Sequence, residues 1–134
     1  MNLLYANDTQ GTYPPSWYAD TAIPHPVSPP LDGDIQTEIA VVGAGYTGLS
    51  AALHLAQAGR KVVLVDAHRV GWGASGRNGG QVGSGQRVDQ PDLEESHGPD
   101  AARDLWNIGQ DAKALVKSLI AKHAIPCDLS PGII

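Results

Sequence analysis

Three glycines in six residues, Gly43-x-Gly45-x-x-Gly48, stand between the apolar run Ile39-Ala40-Val41-Val42 and a helical pattern. No other stretch restricts the fold as much. The run before the glycines lacks polar alternation, as expected of a parallel strand buried on both faces, and reads as a strand over 37–42. From Tyr46 to Ala58 the apolar residues Leu49, Ala52, Leu53 and Ala56 follow the i, i+3, i+4, i+7 spacing of a helix with one apolar stripe. Gly59 stands where a helix C′ residue belongs. A second apolar run over 61–65 reads as another buried strand. Strand, helix and strand form a βαβ unit, for which a right-handed crossover is expected.

Each glycine has a physical reason to be there. Gly43 allows the tight turn out of the strand. Gly45 lets a pyrophosphate approach the backbone. Gly48 lets the helix pack close to the strand. The helix start then offers unpaired N–H groups and a positive dipole end to an anion. Asp66 ends the second strand, 18 positions past Gly48. That spacing places a carboxylate where it can accept hydrogen bonds from adenosine ribose hydroxyls. It would repel a 2′-phosphate, which argues against NADP. The alternative, a tight turn with no ligand, leaves Asp66 without a reason.

Residues 70–86 read VGWGASGRNGGQVGSGQ. A flexible linker would be mostly glycine and serine. This stretch interleaves Trp72, Arg77, Asn78 and Gln81, as suits a loop wrapping a flat ring and its phosphates. An NAD-dependent dehydrogenase has no use for it. Together, GAGYTG, Asp66 and GASGRNGG resemble the D-amino-acid-oxidase-type FAD-dependent oxidoreductase family. The stretches SWYADTA, YTGLSAALHLAQAG, VGWGASGRNGGQVGSGQR and IPCDLSPGII are most similar to its gamma-glutamylputrescine oxidoreductase branch.

The resemblance implies an α/β fold class: a Rossmann-like FAD-binding βαβ unit with a glycine-rich loop and a long amphipathic helix, incomplete as a domain. It implies FAD as cofactor. Gly43, Ala44, Gly45, Tyr46, Thr47 and Gly48 match the family's pyrophosphate loop, and Asp66, with Ala67 beside it, the ribose end. Arg69, Ala74, Ser75, Arg77, Asn78, Gly79 and Gly80 match the segment lining pyrophosphate and isoalloxazine. The implied reaction oxidises a C–N bond of a small-molecule amine or amino acid, with a hydride equivalent passing to flavin N5. Oxygen or another acceptor then takes the electrons. A gamma-glutamylputrescine-like substrate is the expectation. A sarcosine- or glycine-oxidase type and a truncated, non-catalytic nucleotide-binding fragment are the alternatives. Residues 70–86 contain neither histidine nor cysteine, so covalent flavin attachment here is not expected.

The rest of the chain organises around this unit. Residues 1–34 form a proline-rich arm, 35–86 the FAD-binding βαβ unit and second glycine loop, and 87–134 a long helix and the start of a substrate-domain strand, cut short. Most of the ten prolines lie in the arm, which excludes a long helix or central strand there. It reads either as a disordered tail or as an extended arm anchored by Tyr13, Trp17 and Tyr18. The segment Arg87–Gly98 reads as a polar stretch. Pro99 opens the long helix, with Ala101, Leu105, Ile108, Ala112, Leu115 and Leu119 as its core stripe and an end near His123.

Trp72 reads as packing, Arg77 as a flavin contact and His54 as solvent-exposed. Cys127 is the single cysteine, so it forms no internal disulfide, and it reads as a buried apolar filler. His68, His97 and His123 lack metal-ligand spacing, so no metal site is expected. A net charge of −5 gives no reason to expect nucleic acid or an anionic membrane as partner. No apolar run is long enough to span a bilayer, and the N-terminus lacks a secretory pattern, so the simplest compartment is the cytoplasm. The closing CDLSPGII reads as a cut within a strand, which points to the N-terminal piece of a longer protein.

Overall fold

The structure is a computed structural model that describes Thr9 and residues 11–132. Its elements run α1 (Trp17–Thr21), β1 (Ile39–Val42), α2 (Tyr46–Gln57), β2 (Val62–Val65), a 3-10 turn (Ala74–Gly76), α3 (Gln90–His97) and α4 (Pro99–Lys122). They belong to two compact units, Met1–Gly79 and Gly80–Ile134.

The first unit contains the expected β-α-β order. The strands β1 and β2 pair in parallel, with Ile39 opposite Val62 and Val42 opposite Val65. Backbone bonds extend the ladder at both ends, from Ile39 N–H to the Lys61 carbonyl (3.2 Å) and from Gly43 N–H to the Val65 carbonyl (2.8 Å). Both strands start later than the expected 37 and 61, and ahead of β1 the Thr37 hydroxyl reaches the Lys61 carbonyl at 2.7 Å. The helix α2 packs on both strands. It ends in a Schellman motif: Gly59 N–H bonds the Ala56 carbonyl and Arg60 N–H the Leu55 carbonyl, each at 3.0 Å. Gly59 has a φ of +79°, a conformation that disfavours a Cβ.

The expectation of strands buried on both faces is not met. Every residue of β2 is half-buried, and β1 alternates half-buried with exposed, ending on Val42 at 84% exposure. The reason is geometric. Val41 faces α2, close to Gly48, so Ala40 and Val42 point to the opposite face, which no described element of this unit covers.

Of the three anchors expected in the arm, Tyr13 alone reaches the rest of the unit among the described residues. Trp17 and Tyr18 are exposed, on a helix of five residues capped by the Ser16 hydroxyl. Tyr13 is the aromatic that reaches the rest of the unit, through a 2.8 Å bond from its hydroxyl to the Val70 carbonyl.

In the second unit, the polar stretch contains a helix. Asp89 occupies the N-cap position of α3 and Gly98 its C-cap, with a φ of +83°. Gly98 also precedes Pro99, the first residue of α4. The helices α3 and α4 pack through Leu93 and the fully buried Ala102. Gln90 donates to the Ala102 carbonyl at 3.0 Å, and Gln86 to the Leu105 carbonyl at 2.9 Å. The packed face of α4 is therefore rotated from the expected stripe. It runs through Ala102, Leu105 and Gly109, whereas Ala101, Ile108, Ala112 and Leu115 are exposed and Leu119 is half-buried. Cys127 is exposed, not a core filler. Residues 124–132 contain no strand, and the Ile133–Ile134 pair lies outside the described residues.

Candidate functional site

The site is built on Ala44. The residue is 3% exposed, and its backbone is held from both sides. Its N–H donates to Asp66 Oδ2 at 2.6 Å. Its carbonyl accepts from Gly71 N–H at 2.9 Å. One carboxylate and one residue of the second glycine loop thus fix the first loop between Gly43 and Gly45. Gly43 turns the chain with a φ of +102°.

Asp66 Oδ1 accepts a second backbone bond, from His68 N–H at 2.7 Å. The carboxylate accordingly clamps two turns at the C-terminal ends of β1 and β2. An ionised carboxylate has about four acceptor positions, so two remain for another donor. Asp66 and Ala67 are both exposed.

At the start of α2, Leu49 N–H makes the first bond along the helix, to the Gly45 carbonyl at 3.0 Å. The N–H groups of Thr47 and Gly48 precede it and have no helical acceptor, as at any helix start. Tyr46 N–H is met by Ser75 Oγ at 3.0 Å. The Ser75 hydroxyl still has its own proton to donate. It stands beside Gly45, where an added Cβ would lie 2.9 Å from it. No side chain of the first loop crowds this spot, because a methyl at Gly45 would already be too close. An added Cβ at Gly48 would lie 1.8 Å from the Gly43 carbonyl oxygen, so only glycine lets α2 sit this close to the loop.

The second loop is shaped by the same means. A Cβ at Gly76 would lie 2.2 Å from the Gly71 carbonyl oxygen. Asn78 Nδ2 caps the 3-10 turn, bonding the Ser75 carbonyl at 3.0 Å and the Ala74 carbonyl at 3.2 Å, and reaches the Tyr46 hydroxyl at 3.4 Å. The Arg77 guanidinium lies 4.2 Å from the Trp72 ring centre, and its Nε donates to the Trp72 carbonyl at 2.9 Å. On Trp72, His68 stacks at 3.7 Å and 3°. Trp72 is a packing residue, as expected.

Gly43, Ala44, Gly45, Tyr46, Thr47, Gly48, Asp66, Ala67, Ala74, Ser75 and Asn78 are thus brought together in one unit. Arg77 is held on Trp72. Arg69 turns toward the arm: its Nη2 donates to the His25 carbonyl at 2.6 Å, and its guanidinium lies 4.7 Å from the Tyr13 ring centre. Gly79 closes the first unit, and Gly80, with a φ of +75°, opens the second. The sequence reading missed the Asp66–Ala44 and Gly71–Ala44 bonds and the contacts of Thr12 and His25, whereas Tyr13 was among the expected anchors. The steric need for Gly76 had one signal, its place in the glycine-rich run. The Thr12 and His25 carbonyl contacts had none.

A parallel βαβ unit with bare glycines and a helix start facing solvent defines an α/β protein suited to holding an anion. The residues present suit a pyrophosphate: Thr47 and Gly48 have N–H groups with no helical acceptor, and the Ser75 hydroxyl stands beside Gly45, where an added Cβ would crowd it. The family description "FAD dependent oxidoreductase" matches residues 38–134, and the chain belongs to that family. It is 45% identical over 117 residues to the probable oxidoreductase OrdL of Rhizobium meliloti (strain 1021), covering 87% of this chain and 27% of that protein. It is 43% identical over 117 residues to the gamma-glutamylputrescine oxidoreductase of Escherichia coli (strain K12), covering 87% and 28%. It is 38% identical over 117 residues to the probable oxidoreductase OrdL of Haemophilus influenzae (strain ATCC 51907 / DSM 11121 / KW20 / Rd), covering 87% and 27%. The chain spans just over a quarter of the length of these relatives. No solved structure matches it. No described helix is long and apolar enough to cross a membrane.

Proposed function

We propose that these residues hold FAD, without a covalent bond, in an oxidoreductase that oxidises a C–N bond of a small amine or amino acid. One observation carries the cofactor reading: Ser75 of the second glycine loop meets Tyr46 at the start of α2, while Asp66 and Gly71 fix Ala44 between the bare glycines. A pyrophosphate would be held by the Thr47 and Gly48 N–H groups and the Ser75 hydroxyl. The remaining acceptor positions of Asp66 would take ribose hydroxyls. Bound flavin supplies the redox chemistry, accepting a hydride equivalent from the carbon next to nitrogen and passing electrons to oxygen or another acceptor. This chain's residues bind and orient.

A gamma-glutamylated diamine is the favoured substrate class, from the activity that names the Escherichia coli relative. The likeness to that enzyme covers 87% of this chain. It supports a shared way of holding the cofactor, on which the substrate reading depends.

The test is direct. Purified full-length protein should be yellow, and acid precipitation should leave a colourless pellet and FAD in the supernatant. Electron transfer should then be followed with gamma-glutamylputrescine, sarcosine and D-alanine, using both oxygen and an artificial acceptor. Colourless protein that takes up no FAD would overturn the cofactor reading. Flavin retained in the pellet would overturn non-covalent binding.

A further inference from the structure

The N-terminal arm lies outside every motif that the function uses, yet three of its residues reach one loop. Trp72 Nε1 donates to the Thr12 carbonyl at 2.7 Å. The Tyr13 hydroxyl donates to the Val70 carbonyl at 2.8 Å. Arg69 donates to the His25 carbonyl at 2.6 Å and lies over the Tyr13 ring. These bonds join residues 44 to 60 positions apart. All fall on residues 69–72, immediately before the turn that carries Ser75.

We propose that the arm is a strap that holds the second glycine loop in its cofactor-binding position, with Tyr13 and Trp72 as its positioning residues. The loop needs such a strap. Gly71, Gly73 and Gly76 give its backbone more freedom to lose than other residues would. Its own short-range bonds join residues only three to five apart, so they shape the turn without locating it. Three bonds locate it against the first loop, Gly71 to Ala44, Tyr46 to Ser75 and the long one from Asn78 to the Tyr46 hydroxyl. The strap adds three more from a separate part of the chain. The loop is thereby held before any ligand arrives, and a ligand meeting a preformed site loses less affinity to ordering. The strap sets how long the dinucleotide stays bound. This rests on the FAD reading above.

The test uses the full-length protein and the double variant Tyr13→Phe/Trp72→Phe. Each change keeps an aromatic ring and deletes one donor. Trp17→Ala, at a 75% exposed residue on the same arm, is the control. Amide hydrogen exchange is measured first without cofactor. Loss of two bonds should speed exchange across residues 69–77 by roughly tenfold, leaving the β1 and β2 amides and the melting temperature close to wild type. The FAD dissociation rate should rise by a similar factor, and the control should match wild type in both. Unchanged exchange in 69–77, equal acceleration in the strands, or an unchanged FAD dissociation rate would each overturn the strap. Wild-type protein with no affinity for FAD would instead sink the functional reading, and exchange in the cofactor-free protein would still decide whether the arm locates the loop.

Discussion

At Gly48 and Gly76 a single methyl group has nowhere to go. Each would meet a backbone carbonyl oxygen, of Gly43 and Gly71 respectively, and neither oxygen is the end of a flexible side chain. The two substitutions should nevertheless differ. Gly48→Ala pushes α2 away from β1 and should destabilise the first unit by roughly 3 kcal/mol, an overpacking effect. Gly76→Ala displaces only the second loop. It should leave the melting temperature within a few degrees of wild type and weaken FAD binding instead. Gly45→Ala meets only the Ser75 hydroxyl and should be the mildest for stability, because a rotamer change relieves it. Thermal unfolding and FAD titration of the three variants check this order. Equal melting temperatures for Gly48→Ala and wild type would show that the helix is not held at this distance.

Among the elements, α2 and α4 end in the same motif with different residues. Ala124 N–H bonds the Ala121 carbonyl and Ile125 N–H the Ile120 carbonyl, as Gly59 and Arg60 do after α2. Ala124 takes a φ of +48° that its Cβ disfavours. Ala124→Gly should therefore raise stability by up to about 1 kcal/mol, and Gly59→Ala should lower it by a similar amount. Denaturant unfolding reads both, and a destabilising Ala124→Gly would remove the Schellman geometry from α4. Gly59 was readable in the sequence because glycine announces a left-handed residue. Ala124 was not, because nothing in its chemistry does.

The same contrast holds for the helices themselves. The spacing of Leu49, Ala52, Leu53 and Ala56, together with Gly59, was enough to place α2 to within one residue. The helix α3 escaped because Leu93 is its one strongly apolar residue, leaving no stripe to find. Its signals were at its ends, Asp89 before it, Pro91 in its first turn and Gly98 after it. The long helix α4 was found, but its packed face was misread. Its apolar residues span more than one face, and the sequence favours the larger ones. The structure instead buries Ala102, which is small enough to sit against α3. Ala102→Leu should destabilise the second unit by roughly 1–3 kcal/mol. Ile108→Ser, at 62% exposure, should change it by less than about 0.5 kcal/mol. Reversal of that order in thermal unfolding would restore the face read from the pattern.

For the molecule as a whole, what the sequence could show was the part written in residue types. Glycines at fixed spacing, a carboxylate at a strand end and a second glycine-rich run point to a nucleotide because few residue types satisfy those sterics. What joins the parts is written in backbone groups, which any residue carries. The Asp66 bond to Ala44, the Gly71 bond to the same residue and the arm's carbonyls at Thr12 and His25 are of this kind. Asp66 stands on both sides of that division, as a proposed reader of the FAD ribose and as a clamp on Ala44 and His68, so a loss of affinity on its removal has two sources. Comparing FAD with FMN, which lacks the adenosine half, separates them. Damage to the loop weakens both ligands, whereas a lost ribose contact weakens only FAD. The decisive measurement is the dissociation constant of each flavin for full-length wild type and Asp66→Ala. Charge-assisted hydrogen bonds are worth roughly 1.5–3 kcal/mol each, so FAD affinity should fall at least tenfold further than FMN affinity. Equal losses for the two flavins would make Asp66 a loop clamp alone, and an unchanged FAD dissociation constant would contradict its place in the site altogether.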